Sequence, residues 1–353
     1  MDTISIRKGA REPELLEVPR PEPEPGQALV RTLRVGVDGT DREVIEGGHG
    51  GFPEGKEFLV LGHEAVGVVE DPNDTDFEAG DVVVPTVRRP PDDGENGYFA
   101  RGEADMAPPE GTVERGIDGA HGFMSEYFVS EERFLVEIPE ELAARGFLIE
   151  PISITEKALE LADASRSTFE WDPDTALVLG NGSLGLLTVA MLAREMDVYC
   201  LGRRDQPDPT IEFIEARGGT YIDSRETPVE EVPEAYERVD LVYETTGYAK
   251  HAITSLYALA PNGVAALLGI PDPWEFEIDG GRFHREFVME NKAMVGSVNS
   301  GPRHFRTAAD TLADLPEAAL ADLVTRVVDY REFGDAFEAA DDVIKTAVQF
   351  SER

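Results

Sequence analysis

The chain has 353 residues, 71 Asp and Glu against 32 Lys and Arg, and a formal net charge of −39. Such a field repels nucleic acid and anionic membrane surfaces, so neither is expected as a partner. Apolar residues make up 41%, enough for two ordinary domains with their own cores and without a run long enough to span a bilayer.

Residues 27–37, 58–69, 81–87 and 123–129 are short runs rich in Val, Leu and Phe between Gly and Pro signals, and read as strands. Residues 19–25 form a proline-studded connector. Residues 88 to about 115 are polar and rich in Gly, Asp, Glu and Pro, and read as an excursion loop. A helix begins at Pro151 and runs to about Ala164. From 175 to about 290, strands alternate with helices: strands at 176–179, 198–201, 220–222, 239–243 and 263–268, helices at 210–217 and 250–258, and a last strand at 293–298. That alternation implies a doubly wound parallel sheet in an α/β fold. The remainder, 301–353, holds a helix at 305–315 and strands at 324–328 and 346–350. It is too short for its own core, so it is expected to return to the first domain.

The stretch 175–204 carries the clearest chemistry. An apolar strand runs straight into Gly180-Asn-Gly-Ser-Leu-Gly185, then a helix to about Arg194, then a second strand ending at Gly202-Arg203-Arg204. This is the layout of a dinucleotide-binding βαβ unit. Gly180 allows a tight turn, Gly182 lets backbone approach a pyrophosphate, and Gly185 lets helix and strand pack closely. Ser183 and Leu184 open the helix, whose free N–H groups suit phosphate. An NAD site usually has an acid at the second strand end. Here Gly202 is followed by two arginines, which suits the 2′-phosphate of NADP, with NAD possible.

Three places in the first domain stand out: Gly36-Val-Asp-Gly-Thr-Asp41 at a strand end, Gly62-His-Glu64 after a strand, and Glu150-Pro151 at a helix entry. Each has an ordinary reading alone, as a turn cap, a core histidine and a helix-start charge. Together with Gly67, Gly80-Asp-Val-Val-Val-Pro85 and the glycine turn they resemble the zinc-dependent medium-chain dehydrogenase/reductase family. Within it the chain is most similar to archaeal glucose dehydrogenases, through Glu114–Gly122, Glu150–Ser153 and Val295–Asn299. The acidity points to a haloarchaeal member.

The resemblance implies a mainly β, barrel-like (GroES-like) catalytic domain at 1–155 and 300–353, and a nucleotide-binding Rossmann domain at 156–299. It implies one catalytic zinc held by Asp38, His63 and Glu150, with Glu64 binding directly or through water. Asp38 departs from the family's usual Cys, and Asn73 stands where the GHE signature usually has Gly. A carboxylate remains an accepted zinc donor. The family's lobe of four closely spaced cysteines is missing. Residues 89–106 carry Asp92, Asp93, Glu95, Glu103 and Asp105 instead, so no structural zinc is expected, and order there is expected to come from salt or a neighbouring subunit.

By the same resemblance, zinc would lower the pKa of a substrate hydroxyl, Thr40 would hydrogen-bond the reacting oxygen and pass its proton on, and hydride would leave a sugar C1 for the nicotinamide. Glu64, Glu114, Glu150, Asn291 and Asn299 would hold an aldose substrate. Thr245, Thr246, Leu268 and Asn299 would lie near the nicotinamide.

The alternatives are a polyol or alcohol dehydrogenase of the same family, a zinc-free quinone or enone reductase, and an NADP-sensing protein without catalysis. A homodimer is expected through the last strand, 293–298. No signal peptide is read. The single cysteine, Cys200, rules out internal disulfides, and a reducing cytoplasm is the expected compartment. Dispersed acids with only six Lys suggest a salt-filled cell, where the Debye length falls to about 3 Å and self-repulsion is screened.

Overall fold

The computed structural model describes residues 1–91, 94–338 and 340–353. Two compact units emerge: Met1–Ser153 with Asn299–Asp314 and Val324–Arg353, and Ile154–Val298 with Leu315–Leu323. Most of the C-terminal segment thus belongs with the first unit. Leu315–Leu323 is the exception, because helix Glu317–Leu323 packs on helix Ser183–Leu192.

The first unit is built on strand Gln27–Val37, which pairs antiparallel with Glu64–Asp71, Tyr127–Glu131 and Lys345–Gln349. Val82–Pro85 and Leu135–Ile138 extend the sheet on one side and Val324–Asp329 on the other. Ile4, Val35, Phe123, Met124 and Val348 are fully buried in its core. The single strand expected at 58–69 is two. Phe58–Val60 joins a small sheet with Asp2–Arg7, whereas Glu64–Asp71 joins the large one. The chain turns between them at Gly62, which has φ +83°, a conformation that glycine adopts freely. His63 sits at that turn.

The described part of the loop, 89–91 and 94–106, is anchored within its own unit by two buried arginines and a small apolar core. The Arg88 guanidinium is buried and donates to the carbonyls of Asp105 (3.1 Å) and Ala107 (3.0 Å). Buried Arg89 donates to the carbonyls of Thr86 and Arg88 and lies 4.2 Å over the Phe134 ring. Phe99, Ala104, Ala107 and Phe134 form a small core beside them. Two of the expected loop acids, Asp92 and Asp93, lie outside the described residues.

In the second unit six parallel strands lie side by side: Thr220–Asp223, Asp197–Gly202, Thr175–Leu179, Val239–Glu244, Leu259–Leu267 and Ala293–Gly296. In chain order this is 3-2-1-4-5-6, the doubly wound dinucleotide-binding order, whose crevice opens between strands 1 and 4. Helix Ser183–Leu192 is buried from Gly185 onward, since the sheet and neighbouring helices cover it. Helix Gly280–Met289, not foreseen from the sequence, has no buried residue. Among the described residues no helix is long and apolar enough to cross a membrane.

Candidate active site

Antiparallel register builds the first cluster. Gly36 lies opposite Glu64, so Asp38, just past the strand, reaches His63. A Cβ at Gly36 would stand 2.0 Å from Glu64 Oε2, so a side chain there would displace the carboxylate. Asp38 then caps helix Gly39–Glu46. Its Oδ1 accepts from the Asp41 N–H (3.0 Å), while Asp41 Oδ2 accepts from the Asp38 N–H (3.1 Å). The cap occupies Oδ1 and leaves Oδ2 facing His63 Nε2 at 3.6 Å. Glu150 enters from the first turn of helix Ile149–Ala164. One ligand atom each from His63, Glu64 and Glu150 lies within 4.8 Å of the others, and so does one each from Asp38, Asp41 and His63.

The 3.6 Å separation is long for a hydrogen bond. It is close to the spacing of about 3.3 Å between two ligands of a tetrahedral zinc with bonds near 2.0–2.1 Å. Asp41 Oδ1 and His63 Nδ1 are buried without a hydrogen-bond partner. Four carboxyl groups meet one lysine here, and buried unbalanced charge is costly. Burial pushes the Glu150 carboxyl up to about 8, Glu64 and Asp38 adding repulsion while His63 opposes it. Burial likewise takes Asp41 to about 7, with Asp38 adding to the rise. Burial disfavours charge on Asp38 too, yet His63 and Lys345 outweigh it and hold that carboxyl far below its ordinary value. Carboxylates and an imidazole with surplus negative charge fit a divalent cation such as zinc.

Glu114 and Asn299 are brought together. Asn299 Nδ2 donates to Glu114 Oε1 (3.2 Å), and Arg88 Nε donates to the same atom (2.9 Å). Thr40 stands half-buried in the first turn after Asp38.

In the second unit, Gly180 has φ +112°, and a Cβ there would stand 2.6 Å from Thr245 Oγ1. At Gly185 a Cβ would meet the Gly180 carbonyl oxygen at 1.9 Å, whereas Gly182 has open space. Gly182 starts helix Ser183–Leu192 and no side chain caps it, so N–H groups around Ser183 and Leu184 remain for an anion. Arg203 and Arg204 are exposed after their strand. Thr245 and Thr246 are less free than expected. Thr245 Oγ1 donates to the Leu179 carbonyl (2.9 Å), and the Thr246 hydroxyl engages Glu244 and His251. Leu268 is half-buried and its N–H is taken by the Glu244 carbonyl.

Asn291 precedes strand Ala293–Gly296, at the N-terminal edge of the sheet, and its carbonyl accepts from Arg166 (2.8 Å). Gly182 and Thr246 lie at the opposite, C-terminal edge, where such sheets bind ligands.

A family model described as "Glucose dehydrogenase C-terminus" matches residues 143–350, and one described as "Alcohol dehydrogenase GroES-like domain" matches 24–140. Glucose 1-dehydrogenase of Haloferax mediterranei is 63% identical over 99% of both chains. That of Halobacterium salinarum is 61% identical over 100% of both, and that of Thermoproteus tenax 38% identical over 99% of both. The chain belongs to the zinc-dependent medium-chain dehydrogenase/reductase family. A solved structure of the Haloferax enzyme in complex with NADP, Zn and gluconolactone superposes with a TM-score of 0.99 at 63% identity, covering 100% of both chains. The 2R,3R-butanediol dehydrogenase of Bacillus subtilis, at 21% identity and a TM-score of 0.80, shares the fold.

In this family member two participants escaped the sequence reading. Asp41 is almost fully buried beside His63. Lys345 is buried too, and its Nζ donates to Glu64 Oε1 at 2.7 Å and stands 2.5 Å from Oε2. Thr346 opposite Val37 sets the register that delivers Lys345 next to Asp38. Lysine is so scarce here that one at the head of an apolar strand was the available signal.

Proposed function

We propose that the chain is a zinc-dependent glucose 1-dehydrogenase that oxidises D-glucose at C1 to glucono-1,5-lactone, with hydride passing to NADP. The likeness to the Haloferax enzyme with NADP, Zn and gluconolactone carries this reading. Asp38, His63 and Glu150 would hold zinc, with Glu64 direct or through water. A zinc ion there supplies Lewis acidity, which lowers the pKa of a substrate hydroxyl.

The chain's own residues have separate tasks. Lys345 holds Glu64 in one orientation. Thr40 accepts the proton leaving the anomeric oxygen and relays it outward. Glu114, with Asn299, accepts hydrogen bonds from sugar hydroxyls, and Arg88 holds that carboxylate in place. The Gly180–Gly185 turn takes the pyrophosphate, and Arg203 and Arg204 take the 2′-phosphate. Kinetics in molar KCl with glucose, xylose, galactose, sorbitol and ethanol test the substrate. Glucose or a close aldose gives the highest kcat/KM, and a preference for ethanol sinks the reading. A zinc-free reductase would have no use for three buried carboxyl groups and the half-buried Asp38 around one histidine.

We also propose a homodimer through the edge strand Ala293–Gly296. Ile270, Trp274, Ile278, Val288, Met289 and Val298, in the segments before and after it in the chain, are exposed large apolar residues. A cytoplasmic location and adaptation to salt belong to the same reading, supported by the single cysteine and the net charge of −39; cell fractionation checks the location. Light scattering from about 0.1 to about 3 M KCl checks the other two, because charge repulsion is screened over that range. A particle of twice the 38.6 kDa chain mass, stable only toward the high end, is expected. A monomer throughout, or stability independent of salt, argues against them.

A further inference from the structure

We propose that Asn181 and Tyr221 set the cofactor specificity, by closing the space beside Gly202 and by fixing the backbone of Arg204. The inference rests on the reading that Arg203 and Arg204 hold the 2′-phosphate. Gly202 ends its strand at the position where an NAD-preferring site carries an acid for the ribose hydroxyls. A Cβ at Gly202 would stand 2.5 Å from Asn181 Oδ1 and 2.9 Å from Tyr221 Cε2. No side chain fits there unless one of those two moves.

Both neighbours are held. Asn181 Nδ2 donates to Thr210 Oγ1 (2.7 Å), and the Thr210 hydroxyl and N–H both donate to Asp208 Oδ1. Thr210 and Asp208 are buried at the start of helix Pro209–Glu215. Tyr221 belongs to strand Thr220–Asp223, which pairs with the strand that ends at Gly202. Its hydroxyl accepts the Arg204 N–H (2.7 Å) and donates to the Arg204 carbonyl (3.1 Å). The two side chains therefore exclude a carboxylate, and Tyr221 also anchors the arginine segment. Asn181 lies inside the glycine turn, so the residue that closes the space beside Gly202 also belongs to the segment expected to take the pyrophosphate. Asp205, the acid next to Arg204, is met by Arg225 at 2.5 Å, which offsets its repulsion of a phosphate.

The test compares NADP and NAD kinetics, at saturating glucose in molar KCl, for Tyr221→Phe, Gly202→Asp, Gly202→Asp with Asn181→Ser, and Arg203→Gln with Arg204→Gln. Tyr221→Phe keeps the ring and loses the clamp. It should raise the KM for NADP about fivefold, the scale of one hydrogen bond, with kcat and the KM for NAD within about twofold. A merely structural role would not separate the two cofactors. Gly202→Asp alone should lower the thermal midpoint without gaining an NAD preference, and adding Asn181→Ser should shift the ratio toward NAD. An unchanged KM for NADP in Tyr221→Phe overturns the proposal. So does a Gly202→Asp protein of wild-type stability that prefers NAD. If those results come while the arginine variant weakens NADP alone, the phosphate reading stands and only this inference falls. If the arginine variant weakens both cofactors equally, the phosphate reading fails and takes the inference with it.

Discussion

Changing His63 to Ala should strip the metal from the protein and lower kcat for glucose by at least about a thousandfold, the scale of several kcal/mol of lost charge stabilisation. His63 is the member shared by both candidate ligand groups. Without it Asp41 and Glu150 are left as buried acids, beside the half-buried Asp38, that must take up protons instead of a cation. Zinc content after dialysis and steady-state rates give the readout. NADP binding, followed by nicotinamide fluorescence, separates a lost metal from a lost fold, because the glycine turn belongs to the other unit. A variant that keeps one zinc and turns over glucose contradicts the ligand assignment.

The same cluster fixes a pH dependence. With Glu150 at about 8 in the folded, metal-free chain and near 4.3 when unfolded, the folded state holds a proton that the unfolded state has lost between those values. Stability of the metal-free protein therefore falls as pH rises through that window. A bound divalent ion replaces the proton, so the thermal shift given by zinc should be larger at pH 8.5 than at pH 6. An equal shift at both would remove Glu150 from the set.

Lys345→Met is the second large effect. It leaves Glu64 buried without its cation, a change that typically costs about 3–5 kcal/mol. Burial pushes the Glu64 carboxyl up while Lys345 pulls it down, so the lost lysine should drive Glu64 to its protonated form and reduce kcat. The double variant Lys345→Met with Glu64→Gln removes both charges and should recover most of the lost stability, though not the activity. Thermal or denaturant unfolding checks this. A single variant as stable as the wild type, or a double variant no better than the single, would show that the pair carries no such load.

Legibility followed locality. Asp38, His63 and Glu150 each sit where a strand ends or a helix begins, beside Gly or Pro, so short motifs exposed them. The glycine turn was legible for the same reason. Lys345 lies 281 residues from Glu64, and only strand register joins them. Asp41 looked like an ordinary helix-start acid until its burial was visible. Around 89–106 the missing cysteines were clear in the sequence, whereas the burial of Arg88 and Arg89 was not, because in sequence they resemble surface charge. The break at Gly62 was hidden because the chain is apolar on both sides of Gly62-His-Glu64.

Diffraction measured on both sides of the zinc absorption edge, from crystals grown with zinc, tests the central claim most directly. The account predicts one anomalous peak within bonding distance of Asp38, His63 and Glu150. No peak at those residues, or the only peak among Glu95, Glu103 and Asp105, would contradict it.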